Sequence, residues 1–229
     1  MKRMWFDVIE KDGSSLPTGF AIRHACLYGW AGRNQEEVKK HAAELAAHGI
    51  RGPKNMPEYF IISPCMMTQG SEITCVGEGT CGEIEFFFFV KNGEVYVGTG
   101  SEHTDRDLEA VDMIKSKAIC EKVMSRQLWR YRDVREHWDQ LQLTAWQTHD
   151  GVEMLYQDSP LEALLPLDNI MGLAQKMYGS LEDVIVWSGT IPTLGGLVYG
   201  NRFRGRLHDP VLNRELAFDY AVRVVPADK

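Results

Sequence analysis

No stretch of this chain approaches the roughly 18 consecutive apolar residues that a membrane-spanning helix requires. The opening residues, from Met1 to Glu10, are interrupted by Lys2, Arg3 and Asp7 before an apolar signal region can form, so a cytoplasmic, soluble protein is expected. Basic residues are also in deficit. Lys and Arg number 25 against 32 Asp and Glu, which gives a formal charge of −7 and a pI near 5.5. With no basic stripe longer than a few residues, a nucleic-acid partner is disfavoured. The cysteines, at 26, 65, 75, 81 and 120, are odd in number and contain no Cys-x-x-Cys pair, which argues against both a disulfide framework and a zinc ribbon. Internal repeats and low-complexity segments are lacking as well.

What is present is an ordinary globular composition, 44% hydrophobic and 25% charged, sufficient for a sizeable core. Strands are expected at Trp5 to Ile9 and Phe20 to Tyr28, followed by a glycine-punctuated loop at 29–33. A helix over about 35–48 follows, with Asn34 as N-cap, Glu37 three residues on, a narrow stripe of Val38, Ala42, Leu45 and Ala46, and Gly49 as its stop. Further strands are read at 59–63, 71–76, 183–188, 197–206 and 216–225, and helices at about 105–122, 159–165 and 168–178. Residues 125–147 read as a short helical stretch and then a strand from Leu141 to Gln147. Strands outnumber helices, so the class is a β-rich α+β fold. Residues 1–58 are read as N-terminal strands and a helix or lid, and 59–229 as one compact core.

The segment 83–99 says most about function. Two apolar runs flank Asn92-Gly93, and Asn-Gly between strands is a strong signal for a two-residue hairpin turn, because both residues tolerate positive φ. Lys91 then faces Glu94, and the same register sets Glu83 opposite Glu102, with Glu85 on the same face. Facing residues lie roughly 5 Å apart at Cβ. Three carboxylates so crowded destabilise one another unless something positive sits among them. Oxygen ligands of this kind suit Mg²⁺ or Mn²⁺ better than zinc. Phe86 to Phe89 and Val90 make the first strand apolar on both faces, so its middle should be buried.

Other residues carry weaker signals. His41 and Glu44, three apart on the first helix, share a face on which a carboxylate can orient an imidazole toward water. Lys115, just beyond the acidic hairpin, can meet a substrate carboxylate. Gly189 and Thr190 close a strand and leave backbone amides and a hydroxyl free to hold a small anion. Arg202, Arg204 and Arg206 alternate along one strand face, where a solvated edge is the simpler reading.

In this order the segments His41-Ala-Ala-Glu44, Tyr59 to Pro64, Glu83-Ile-Glu85, Gly100-Ser-Glu102-His-Thr-Asp-Arg106-Asp107, Lys115-Ser116 and Gly189-Thr190-Ile-Pro192 resemble the fumarylacetoacetate hydrolase superfamily. The wording of Gly29 to Arg33 and Ser101 to Arg106 looks like a bacterial branch of it catalogued as a domain of unknown function. The resemblance implies a fumarylacetoacetase-like β-roll with a few flanking helices and a homodimer. It implies a Mg²⁺ or Mn²⁺ ion on Glu83, Glu85 and Glu102, with His41 and Glu44 as the water-activating pair. Lys115, Arg106, Gly189 and Thr190 would contact a small carboxylate substrate. Glu102 replaces a usual aspartate and Glu109 a usual glutamine, departures that bear on the substrate more than on the metal. The implied activity is hydrolysis of a carbon–carbon bond in an acylpyruvate-like 2-oxo or 1,3-dicarbonyl acid. Decarboxylation, hydration and isomerisation use the same chemistry and stay open, as does a non-catalytic metal-binding or ligand-binding role, although crowded carboxylates serve no purpose in a pure scaffold.

Overall fold

The computed structural model describes residues 1–47 and 52–226, with the side chains of 41 and 44–47 outside that description. Strands β1 (Lys2–Ile9) and β2 (Ser15–Ile22) form an antiparallel pair in which Met4, Phe6 and Val8 alternate into the core, as a period of two demands. After Arg23 the chain continues as β3 (His24–Gly29), so the single strand expected over 20–28 is two. Helix α1 (Gln35–Ala47) begins after Asn34, whose side-chain oxygen accepts from the Glu37 amide at 3.4 Å. The expected stop at Gly49 lies outside the described residues. There follow β4 (Glu58–Ile62), β5 (Met67–Thr68), β6 (Glu72–Val76) and β7 (Thr80–Cys81), then the hairpin of β8 (Ile84–Lys91) and β9 (Glu94–Glu102).

Beyond the hairpin come β10 (Thr104–Asp105), α2 (Arg106–Glu109), α3 (Met113–Ile119) and β11 (Lys122–Met124). The continuous helix expected over 105–122 is broken because Asp105 and Asp112 each accept from an amide three residues on, at 2.8 and 3.1 Å, and so cap two short helices in succession. Strand β12 (Gln127–Arg130), helix α4 (Tyr131–Val134), a 3₁₀ stretch (Arg135–Gln140) and β13 (Gln142–His149) fill the region read as helix then strand. Strand β14 (Val152–Pro160) has no counterpart in the sequence reading, since its first four residues are all exposed and show no alternation. The helix expected at 159–165 is a single 3₁₀ turn, Leu161–Ala163. The chain ends with α5 (Leu167–Tyr178), β15 (Val184–Trp187), β16 (Arg202–Asp209) and β17 (Arg214–Val225).

The main sheet has ten strands, ordered β2-β1-β12-β9-β8-β15-β3-β4, with β11 and β5 joined beside β9. A second sheet of five runs β14-β13-β16-β17-β6. On β8, Phe86 and Phe88 enter one apolar cluster while Phe87 and Phe89 enter another, which explains a strand that is apolar on both faces. Phe86 meets Trp138 edge-on at 5.0 Å and Phe89 stacks on Phe20 at 4.7 Å. Opposite Phe87, Gly98 is required by space, since a Cβ there would run into the Phe87 ring. The turn has Asn92 at φ 52° and Gly93 at φ 75°, as a two-residue turn with both φ positive needs. The outward arginines of β16 pair with Asp219, Glu153 and Glu215, all partly exposed, so this face is solvated, but the strand is not the edge expected, since β13 and β17 flank it on either side.

Candidate metal centre and active site

The hairpin register is the expected one, from Lys91 facing Glu94 down to Ile84 facing Ser101. One step further the Glu102 amide donates to the Glu83 carbonyl at 2.9 Å, so these two residues face each other as the sequence reading requires. Oxygens of Glu83, Glu85 and Glu102 all lie within 4.8 Å of one another. Glu85 and Glu102 are each only 2% exposed.

Three cations surround the carboxylates, and each is placed by its element. Arg106 opens α2, its amide bonded to Gly79 O at 2.8 Å, and its guanidinium faces a protein acceptor on every edge. Nε donates to Cys81 Sγ at 3.0 Å, Nη1 to Glu109 at 2.6 Å, and Nη2 lies 2.8 Å from Glu83, an ion pair off the line of a good hydrogen bond. Lys117 projects from the buried side of α3. Its Nζ is 2.5 Å from Glu102, 3.0 Å from Glu83 and 3.4 Å from Glu109, and it donates to Thr104 Oγ1 at 3.1 Å. Lys122 is fully buried on β11, where the ladder sets it directly opposite Glu102; its Nζ is 2.6 Å from that carboxylate and 2.6 Å from His103 O.

Glu85 is treated differently. Among the described residues no cation reaches ion-pair distance of it, and its hydrogen bond comes from the Gly189 amide at 3.0 Å. Burial, then repulsion from Glu102 and Glu83, raises its pKa well above the carboxylate range, with Lys117 opposing. Burial alone would raise Glu83 too, but the Arg106 and Lys117 charges outweigh it and hold that carboxyl below its usual range. Lys117, despite burial, is pushed well above the usual lysine value by Glu102, Glu83 and Glu109 and stays charged. The donor set fits a hard divalent cation: three converging carboxylates, one of them with no cation at ion-pair distance among the described residues.

Of the residues singled out in the sequence, the structure brings together Glu83, Glu85, Glu102, Arg106, Gly189 and Thr190. Gly189, at φ 84°, turns its amide to Glu85, and the Thr190 hydroxyl donates to Ile84 O at 2.8 Å and accepts from Gln157 at 2.8 Å. Lys115 is not among them. It is 73% exposed and pairs with Asp112 at 3.4 Å, while Lys117 enters the centre; residues two apart on a helix lie about 200° apart, so only one of the two can face inward. The side chains of His41 and Glu44 lie outside the described residues. His103 is turned away from the carboxylates, with its ring nitrogens bonded to Tyr220 OH at 2.8 Å and Thr80 Oγ1 at 2.9 Å.

Lys117, Lys122 and Glu109 are the charged groups that sequence reasoning missed. Glu109 stands in the sequence only as a departure from a usual glutamine, though its spacing of three from Arg106 on a helix is a usable signal. Lys122 had none, since its place depends on which strand pairs with β9.

Residues 28–220 match the family model described as "Protein of unknown function (DUF2848)". The chain belongs to this family. No curated protein sequence matches it. Among solved structures, Cg1458 aligns with TM-score 0.63 at 17% identity, covering 91% of this chain and 78% of that one. A 2-keto-3-deoxyarabinonate dehydratase aligns with TM-score 0.64 at 15% identity over 90% of this chain and 75% of the other. A 4-oxalocrotonate decarboxylase from Pseudomonas putida G7, in complex with magnesium and adipate, gives 0.55 at 15% identity over 88% and 77%. This DUF2848 chain shares the fold of these proteins, the fumarylacetoacetase-like fold that the motif order implied.

Proposed function

We propose that this chain is a divalent-metal-dependent enzyme acting on a small 2-oxo carboxylic acid, and that its reaction is hydrolysis of a carbon–carbon bond in an acylpyruvate-like substrate. The observation that carries the metal is Glu85, a carboxylate buried against two others with a backbone amide as its hydrogen-bond donor. Glu83, Glu85 and Glu102 would hold the ion. A divalent cation there would supply Lewis-acid polarisation to the oxo group of the substrate.

The protein's own groups have separate tasks. Lys122 and Lys117 fix the two oxygens of Glu102, and Arg106 fixes Glu83, so the carboxylates that would hold the ion are positioned before it binds. The closeness of Lys117 Nζ to Glu83 and Glu102 puts a fixed positive charge beside the point where negative charge would develop on the substrate. Water activation is assigned to His41 together with Glu44, both borne on helix α1. The reading also includes a homodimer in the cytoplasm, with no nucleic-acid partner. Support comes from structural neighbours named as a 2-keto-3-deoxy-D-arabinonate dehydratase with magnesium and 2,5-dioxopentanoate, and a 4-oxalocrotonate decarboxylase with magnesium and adipate.

The test is turnover of a panel of acylpyruvates and other 2-oxo acids with Mg²⁺ or Mn²⁺, followed by enol absorbance and product analysis. Metal-dependent release of pyruvate and a free acid is expected. Release of CO₂ would replace hydrolysis by decarboxylation, an altered carbon skeleton with water lost or gained would indicate dehydration or hydration, and silence with metal bound would refute the enzymatic reading.

A further inference from the structure

The centre contains four glutamates, Glu83, Glu85, Glu102 and Glu109, against three cations, Arg106, Lys117 and Lys122. All three cations are engaged by carboxylates. Arg106 and Lys117 side chains are 8% and 9% exposed and Lys122 is sealed, so none has a free edge turned to solvent. The carboxylates closest to solvent are Glu109, 23% exposed, and Glu83, 15% exposed. With all four carboxylates ionised, the described cluster is one negative charge over, and a divalent cation would turn it to one positive charge over. One carboxylate on the ligand brings that to neutrality; among the described residues, a second one meets no cation that is not already paired with a glutamate.

Resting on the reading of the centre as a divalent-metal site for 2-oxo acids, we propose that it accepts 2-oxo acids with a single carboxylate, rejects dicarboxylates, and owes this selectivity to Glu109. Glu109 acts in two ways. Its carboxylate sits 2.6 Å from Arg106 Nη1 and 3.4 Å from Lys117 Nζ, which occupies the donors a second carboxylate would need. It also sets a negative charge on the solvent side of the cluster. The far end of the substrate is accordingly uncharged.

The experiment compares 2-oxopentanoate with 2-oxoglutarate, which have the same chain length and differ by one carboxylate. Affinity for the Mn²⁺-loaded protein is read by calorimetry and by the shift in melting temperature, without turnover. A unit charge acting across a partly wetted site is worth about one order of magnitude in affinity. The monocarboxylate should bind at least about tenfold more tightly, and Glu109→Gln should narrow or reverse that ratio while Glu109→Asp keeps it. Equal or tighter binding of 2-oxoglutarate by the unmodified protein overturns the inference and leaves the metal reading intact. An unchanged ratio in Glu109→Gln overturns the role of Glu109. Should Mn²⁺ bind and neither acid add to it, the 2-oxo acid reading itself fails. The comparison in the unmodified protein holds whether or not a variant folds.

Discussion

Replacing Glu85 by glutamine should stabilise the metal-free protein at neutral pH, the reverse of what removing a buried carboxylate from an ion pair does. Unit charges 4.8 Å apart at an effective dielectric of about 20 repel by about 3.5 kcal/mol. Glu85 faces two such neighbours, and Lys117 offsets part of the repulsion. Taking Lys117 to cancel most of the two repulsions, a net strain of about 2 kcal/mol is expected at pH 8, while the glutamine oxygen still accepts from the Gly189 amide. In a chain of this size that corresponds to about 4–8 °C in melting temperature. The sign follows from proton binding: a carboxyl whose folded pKa is raised holds its proton more tightly in the native state, so stability falls as pH rises from about 4.5 through the raised value. Thermal melts in EDTA from pH 4 to pH 8.5 should show the two proteins converging near pH 4 and separating above it, with Glu85→Gln the more stable. Saturating Mg²⁺ or Mn²⁺ should raise the unmodified protein and leave the variant unmoved. A variant less stable than the parent at pH 8 in EDTA would refute the assignment of Glu85 as the unpartnered carboxylate.

Glu83→Gln should have the opposite effect, because it leaves Arg106 and Lys117 undercompensated in a buried place; a loss of about 3 kcal/mol is expected in urea unfolding at pH 7. Since the folded pKa of Glu83 is depressed, its stabilising contribution is present above about 4.5 and fades as pH falls below that. Lys115→Ala should leave stability within about 0.5 kcal/mol and turnover unchanged, as for other exposed surface positions, whereas Lys117→Met should lower kcat at least about 100-fold. Phe88→Ala, at a fully buried position of the hairpin, should cost about 3–5 kcal/mol by denaturant melts.

The hairpin was legible because its signals are local. Asn92-Gly93 fixes the turn, a two-residue turn fixes the register, and register alone brings Glu83, Glu85 and Glu102 to one place. The β-rich class followed from the strand count, and the family from the wording of Gly29 to Arg33 and Ser101 to Arg106. The charges around the carboxylates were less legible for two reasons. Choosing between Lys115 and Lys117 required knowing that Asp112 starts a new helix, which sets the face each lysine takes. Placing Lys122 opposite Glu102 required a pairing between β9 and a strand twenty residues further along the chain. Strand β14 escaped because exposure on both faces of its first half erases the alternation by which strands are read.

Calorimetric titration of the purified, EDTA-stripped protein with Mn²⁺ at pH 8 tests the central claim most directly. Saturable binding at one ion per chain, abolished by Glu83→Gln and by Glu85→Gln and unaffected by Lys115→Ala, is the predicted result. No saturable heat at millimolar Mn²⁺, or binding that survives both glutamate substitutions, would contradict a metal centre on Glu83, Glu85 and Glu102.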